Sequence, residues 1–293
     1  MKITTIGIDL AKAVFQVHGV DVHGKTVLRK QLRRSEMADA EAICEAVSRP
    51  NMRFVPIKNI EQQAILSVHR ARQGFVKART AQSNQIRGLL SEFGIVMPQG
   101  IHSIMQRMPE ILEDSENNLP GVMRKLLERL IENLKEIDRQ VVELERQIQL
   151  WHRENEDSSK LAEIPGIGPL TASAIVATVG RAKEFKSGRQ LAAWMGLVPR
   201  QHSSGGKQNL LGISKRGDTY LRTLLIHGAR AVIRFAENKA KPESWLRKLM
   251  TRRNKNVAAV ALANKNARIV WALLANNQTF HPDYLPATIV ARM

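Results

Sequence analysis

Three clusters in the sequence carry side chains able to act on a charged substrate. The first is Trp194 to Leu221, WMGLVPRQHSSGGKQNLLGISKRGDTYL, where Ser203 and Ser204 precede paired glycines and Lys207, Lys215 and Arg216 follow. A serine hydroxyl is a weak nucleophile until a neighbouring base, metal or cationic group stabilises its alkoxide. The glycines would let a bulky phosphodiester reach the oxygen, and the cations would stabilise charge on a transferring phosphoryl group. His202, beside Ser203, is a candidate proton handler. On spacing alone the plainer reading is favoured: a loop whose cations merely touch phosphates. The second cluster is acidic. Asp9 closes a β-branched run, and Glu36 and Asp39 lie three apart on one helical face. Carboxylates on a strand end and a facing helix could converge on Mg²⁺, and two such ions would clamp a phosphodiester. Against this, Asp39 could cap its helix and Asp9 could simply end a strand. The third is Leu161 to Gly180, LAEIPGIGPLTASAIVATVG. Pro165-Gly166-Ile167-Gly168 sits between two apolar helical runs, as in a helix-hairpin-helix. Gly166 and Gly168 would let backbone N–H groups at the following helix N-terminus approach a phosphate. Such a contact positions nucleic acid without reading its sequence. A tight turn with no ligand is the alternative, and the neighbouring positive charge favours phosphate.

The elements that must position these residues follow from periodicity. Ile3, Ile6 and Ile8 open a strand ending at Asp9, Val14 to Val20 is a second, and Asp21 to Lys25 turns into a third, Thr26 to Leu32. Glu36 to Val47 reads as a short helix and Phe54 to Ile57 as a further short strand. Glu61 to Phe93 is a long helical pattern broken by Gly94 to Gly100. After Pro120-Gly121, the residues Met123, Leu127, Leu130, Leu134, Ile137, Val141, Leu144, Ile148 and Trp151 alternate spacings of four and three. That strict seam predicts a coiled coil, satisfied either by a homodimer or by pairing with the Glu61 helix. The expected domains are 1–60, 61–155 and 156–275, with 276–293 as a tail.

Charge says what these elements face. The 293 residues hold 45 Lys and Arg against 27 Asp and Glu, a net charge of +18. Of that, 20 basic and 4 acidic residues lie between Arg181 and Arg268. So basic a segment repels itself unless a polyanion neutralises it, which points to nucleic acid. The lone Cys44 excludes an internal disulfide and a multi-thiolate zinc site. The eight histidines show no metal-ligand spacing. Apolar stretches such as Ala172 to Val179 and Val257 to Ala263 read as too short for a bilayer, and Met1 to Ala11 lacks a signal-peptide pattern. The expectation is a cytoplasmic protein that handles nucleic acid, with no membrane partner.

Taken together, the opening ITTIGIDLAKAVFQVHGVD, the DAEAICEAV helix, the PGIG turn and GLVPRQHSSGGKQNLLGISKRGDTYLR resemble the DEDD-type insertion-sequence transposases. That family includes the Piv site-specific DNA invertase and the bridge-RNA-guided recombinases. The resemblance runs through nearly the whole chain. It implies an α/β N-terminal domain, ribonuclease H-like (RuvC-like), then coiled-coil helices and a mainly helical C-terminal transposase domain. By this resemblance the family's first acid falls on Asp9 and its last, in a D-x-x-D-A pattern, on Asp39. The acid preceding the last falls on Glu36, where the family has Asp. These three would hold Mg²⁺. The family's serine maps to Ser204, with Ser203 the less favoured register. It would attack a DNA phosphodiester and hold the strand as phosphoserine, while a guide RNA pairs with both DNA sites and the coiled coil builds the dimer. One departure stands out. The family has a strand bearing its second acid, a helix and another strand between the meander and the DAEAI helix, whereas here Ser35 joins Arg34 directly to Glu36. An internal deletion of that kind would weaken the Mg²⁺ site and leave nucleic-acid binding intact.

Overall fold

The computed structural model describes residues 5–11, 14–31, 44–48, 58–202, 209–239 and 244–281, and it divides into two units, Met1–Ile57 and Lys58–Met293. In the first unit, β1 (Thr5–Ala11), β2 (Val14–Val20) and β3 (Thr26–Gln31) form an antiparallel meander in the order β1-β2-β3. The β2–β3 turn is built by Asp21, whose Oδ1 accepts from the His23 and Lys25 amides, with Gly24 at φ +75°. Residues 44–48 are helical, and the buried Cys44 thiol donates to the His18 carbonyl at 3.1 Å, which holds that turn against β2. The rest of the expected Glu36–Val47 helix and the Phe54–Ile57 strand lie outside the described residues.

Among the described residues, the second unit is mainly helical and has one small β-hairpin. It begins with α1 (Ile60–Glu92), started by a reciprocal cap. The Asn59 side chain accepts from the Gln62 amide at 2.7 Å, and the Gln62 side chain accepts from the Asn59 amide at 3.1 Å. After α2 (Ile101–Glu113) comes α3 (Gly121–Glu154), which returns along α1. One column of the strict seam is thus buried within the chain. Leu127, Leu134, Val141 and Ile148, seven apart, are fully buried, whereas Leu130, Ile137 and Leu144 are only half-buried. Arg72 bonds Glu145 and Arg79 bonds Asp138, so steps of seven on each helix fix an antiparallel register. At the far end α2 closes a core of Ile86, Leu90, Ile104, Met108 and Leu127. There Arg124 donates to the carbonyls of Ile111, Leu112, Asp114 and Leu119, which ties the α2–α3 connection.

The C-terminal core holds α4 (Glu156–Ala162), α5 (Pro169–Val179), α6 (Gly188–Trp194), strands β4 (Pro199–Gln201) and β5 (Leu210–Ile213), then α7 (Thr219–Lys239), α8 (Trp245–Arg252) and α9 (Lys255–Asn276). α5 packs on both α1 and α3, with Ala177 buried between Ile65 and Ile148. The 22-residue α9 corrects one sequence expectation: by length and composition it is apolar enough to cross a bilayer. Its Ala258, Ala259, Leu262, Ala263, Ala267 and Val270 are instead buried in this core, which accounts for its apolarity.

Candidate nucleic-acid interface and serine loop

The serine segment is carried by the β4–β5 hairpin. The two short strands pair antiparallel, and the His202 amide donates to the Asn209 carbonyl at 3.0 Å. Ser203, Ser204 and Lys207 follow His202 in the sequence and lie outside the described residues. The base of the hairpin is described in detail and is tightly made. The Ser214 amide donates to Val198 at 2.8 Å and the Lys215 amide to Gly196 at 3.2 Å. Gly196 (φ +72°) and Gly217 (φ +93°) sit where any Cβ would strike backbone. The obstacles are the Arg216 carbonyl, 2.0 Å from such an atom on Gly196, and the Trp194 carbonyl, 1.8 Å from one on Gly217. Both glycines are therefore required by close approach as well as by their backbone angle. Arg222, buried on α7, completes this clamp by donating to the Met195 carbonyl, the Arg216 carbonyl and the Thr219 hydroxyl. Asp218 caps α7 by accepting from the Leu221 amide at 2.9 Å. Lys215 and Arg216 protrude from the clamp, both exposed.

The Pro165–Gly168 turn assigns its two glycines different duties. Gly166, at φ +90°, lies against α7, where a Cβ would meet the Gly228 carbonyl and Val232 at 3.0 Å. Gly228 in turn has the Gly166 carbonyl 1.8 Å from where its own Cβ would be. Gly166 is thus required by the close packing of this turn on α7. Gly168 has open space beside it and forms the N-cap of α5 with Pro169 in the first turn. Helix geometry leaves the Leu170 amide of that first turn without an intrahelical acceptor, the donor a phosphate would use.

Helix α9 holds both motifs at once. Asn264 donates to the Leu197 carbonyl at the hairpin base (3.2 Å), and the buried Asn266 donates to the Pro165 carbonyl (2.9 Å). On the opposite side, His69 of α1 bonds the Tyr220 hydroxyl at 3.0 Å and the Ser173 hydroxyl at 3.1 Å. Burial, aided by the neighbouring Arg72, pushes the His69 pKa down to about 4, and burial raises that of Tyr220. Sequence reasoning found none of Arg222, Asn264, Asn266 and His69 as positioning residues. Each acts through a partner distant in sequence or buried from view, and only the run of asparagines in an apolar helix could have drawn notice.

The acidic cluster is described only at Asp9, whose backbone lies on β1 opposite Gln16. Glu36 and Asp39 fall outside the described residues. Among the described residues, no group of three or more His, Cys, Asp or Glu side chains is placed to hold a metal.

The fold and its charge define a mainly helical, strongly basic protein, with a braced β4–β5 hairpin base and an open helix N-terminus in one unit. Residues 158–244 match the model of the "Transposase IS116/IS110/IS902 family". A Pseudomonas aeruginosa protein named "Probable family 20 transposase" is 45% identical over 337 aligned positions, covering 96% of this chain and 100% of that protein. The Coxiella burnetii transposase for insertion sequence element IS1111A is 39% identical, covering 95% and 91%. A Moraxella bovis pilin gene-inverting protein is 30% identical over a shorter stretch, 51% of this chain and 45% of its own length. The chain belongs to the IS116/IS110/IS902 family of insertion-sequence transposases.

Proposed function

We propose that this transposase cuts and rejoins DNA through Ser204, in the segment of sequence between β4 and β5, with Lys215 and Arg216 stabilising charge on the phosphoryl group. The single observation that carries the reading is the clamp of Gly196, Gly217 and Arg222. A loop merely connecting two strands needs no such base, whereas a nucleophile must be aimed reproducibly. α4, the Pro165–Gly168 turn and α5 act as a helix-hairpin-helix, with the Gly168 side gripping backbone phosphate. Asp9, Glu36 and Asp39 are the residues that would hold Mg²⁺, in a RuvC-like N-terminal domain. Magnesium there would polarise the phosphodiester. A guide RNA selects the DNA sites by base pairing. Copies associate through the half-buried apolar stripe of α3.

A second reading has its own support. The alignments to the Pseudomonas and Coxiella relatives span 337 and 332 positions, more than this chain's 293 residues. This supports a stretch missing relative to those proteins, which we place between the meander and Glu36, and with it a binding-competent relative whose strand chemistry is lost.

Covalent trapping tests both. The chain is incubated with element-end DNA, flanking transcript and Mg²⁺, then run on a denaturing gel beside an active full-length relative. A protein–DNA adduct that disappears in Ser204→Ala is the expected result. Normal DNA binding without an adduct, while the relative forms one, would establish the second reading. An adduct that survives in Ser204→Ala would remove Ser204 from the mechanism.

A further inference from the structure

The serine loop and the phosphate turn leave one basic surface unused, the outer face of α8. Leu246, Leu249 and Met250 pack toward the core, while Trp245, Lys248 and Arg252, at spacings of three and four, share an exposed face. Trp245 is 43% exposed, although its helix already has three apolar side chains turned inward. Lys265 of α9 sets its ammonium 4.8 Å from the centroid of the indole ring. The Arg252 Nε donates to the Lys248 carbonyl at 3.2 Å, which lays the guanidinium along the helix and leaves its terminal nitrogens for another acceptor. Among the described residues, Lys248, Arg252 and Lys265 have no carboxylate within ion-pair distance. Nor does the sequence from Ser244 to His281 contain any Asp or Glu. The patch begins at the edge of the family match, which ends at residue 244.

Three cations around an exposed indole repel one another unless an anion sits among them. Phosphates alone would explain the cations, and Lys265 partners the indole, but neither accounts for the 43% of Trp245 left exposed. The ring calls for a flat π surface at the same spacing as the charges, which an unpaired nucleotide strand supplies. A duplex keeps its base faces stacked internally and offers only edges and backbone. We infer that the Trp245, Lys248, Arg252 and Lys265 face is a stacking platform for an unpaired strand of nucleic acid. One base lies on the indole, and the flanking phosphates lie on the cations. This rests on the proposed nucleic-acid function and adds a second site to it. The strand is either RNA or a DNA strand displaced from its duplex.

Fluorescence anisotropy on the full chain tests it with three labelled probes: oligouridine and oligothymidine of about twelve nucleotides, and a mixed-sequence duplex of about twenty base pairs. Trp245→Ala should weaken binding of at least one single strand about tenfold and change duplex binding less than about twofold. Trp245→Phe, which keeps a stacking ring, should retain most of the affinity. In Lys248→Gln/Arg252→Gln, the salt slope for that strand should flatten by about 0.7 for each phosphate the protein no longer neutralises. The strand more sensitive to Trp245→Ala names the source, and equal sensitivity assigns a platform that accepts either sugar. Strand binding unchanged in a Trp245→Ala variant of native helical content overturns the platform. So does an equal loss on strand and duplex. A wild-type chain that binds none of the three probes would overturn the nucleic-acid reading itself; normal duplex binding with no Trp245 dependence would overturn only this inference.

Discussion

His69 shows how much one buried side chain can hold. The Ser173 hydroxyl donates its proton to the Pro169 carbonyl at 2.7 Å, so toward His69 it can only accept. That fixes the proton of the neutral imidazole on Nε2 and leaves Nδ1 to accept from the Tyr220 hydroxyl, which burial keeps protonated. A second proton on the ring would reverse the Tyr220 bond and place a charge in a buried site beside Arg72. The folded-state pKa near 4 therefore lies below the ordinary value of 6.5. Between these two values the unfolded chain binds more protons, so His69 adds stability above about pH 6.5 that is lost as pH falls toward 4. The loss is on the order of 3 kcal/mol. Denaturation midpoints measured across that window should fall steeply for the wild type. His69→Gln, which retains a donor and an acceptor, should show a flatter profile; identical profiles would mean that His69 is not the group responsible.

At the scale of elements, the Pro165–Gly168 turn separates what sequence can say from what it cannot. Two glycines in a PGIG turn mark a tight helix junction, and the sequence shows that much. Their different duties depend on Gly228, some sixty residues later, which no local pattern connects to the turn. The same limit hid the bonds of Asn264 and Asn266 to Leu197 and Pro165. By contrast the meander was legible, because alternation and the Asp21–Lys25 turn are local signals. The long helices were legible too, because their period persists over many turns. The two duties predict opposite outcomes for one kind of substitution. Gly166→Ala forces a side chain into a positive-φ position against α7 and should cost about 2–3 kcal/mol in thermal unfolding. Gly168→Ala has room and should cost less than about 1 kcal/mol, yet should weaken DNA binding by crowding the Leu170 amide. Should Gly168→Ala bind DNA as the wild type does, the turn is a structural joint alone.

For the molecule as a whole, the α1–α3 hairpin decides whether one copy is complete. A strict heptad seam carries two columns of apolar residues, and pairing with α1 buries only one of them. Leu127, Leu134, Val141 and Ile148 are enclosed within the chain. Leu130, Ile137 and Leu144 remain half-buried, with Leu126 exposed on the same side. From sequence the columns are indistinguishable, since both obey the same repeat; the partner helix, set by the Arg72–Glu145 and Arg79–Asp138 pairs, breaks the symmetry. The consequence is a clean separation of folding from assembly. Leu134→Gln puts an amide into the closed seam and should destabilise the hairpin by about 3 kcal/mol or more, whatever the oligomeric state. Ile137→Gln together with Leu144→Gln should leave the unfolding transition within about 1 kcal/mol of the wild type and convert an oligomer to monomer in sedimentation equilibrium. If that double variant keeps the wild-type mass in solution, the second column serves only to cover the hairpin, and copies of this transposase meet through another surface.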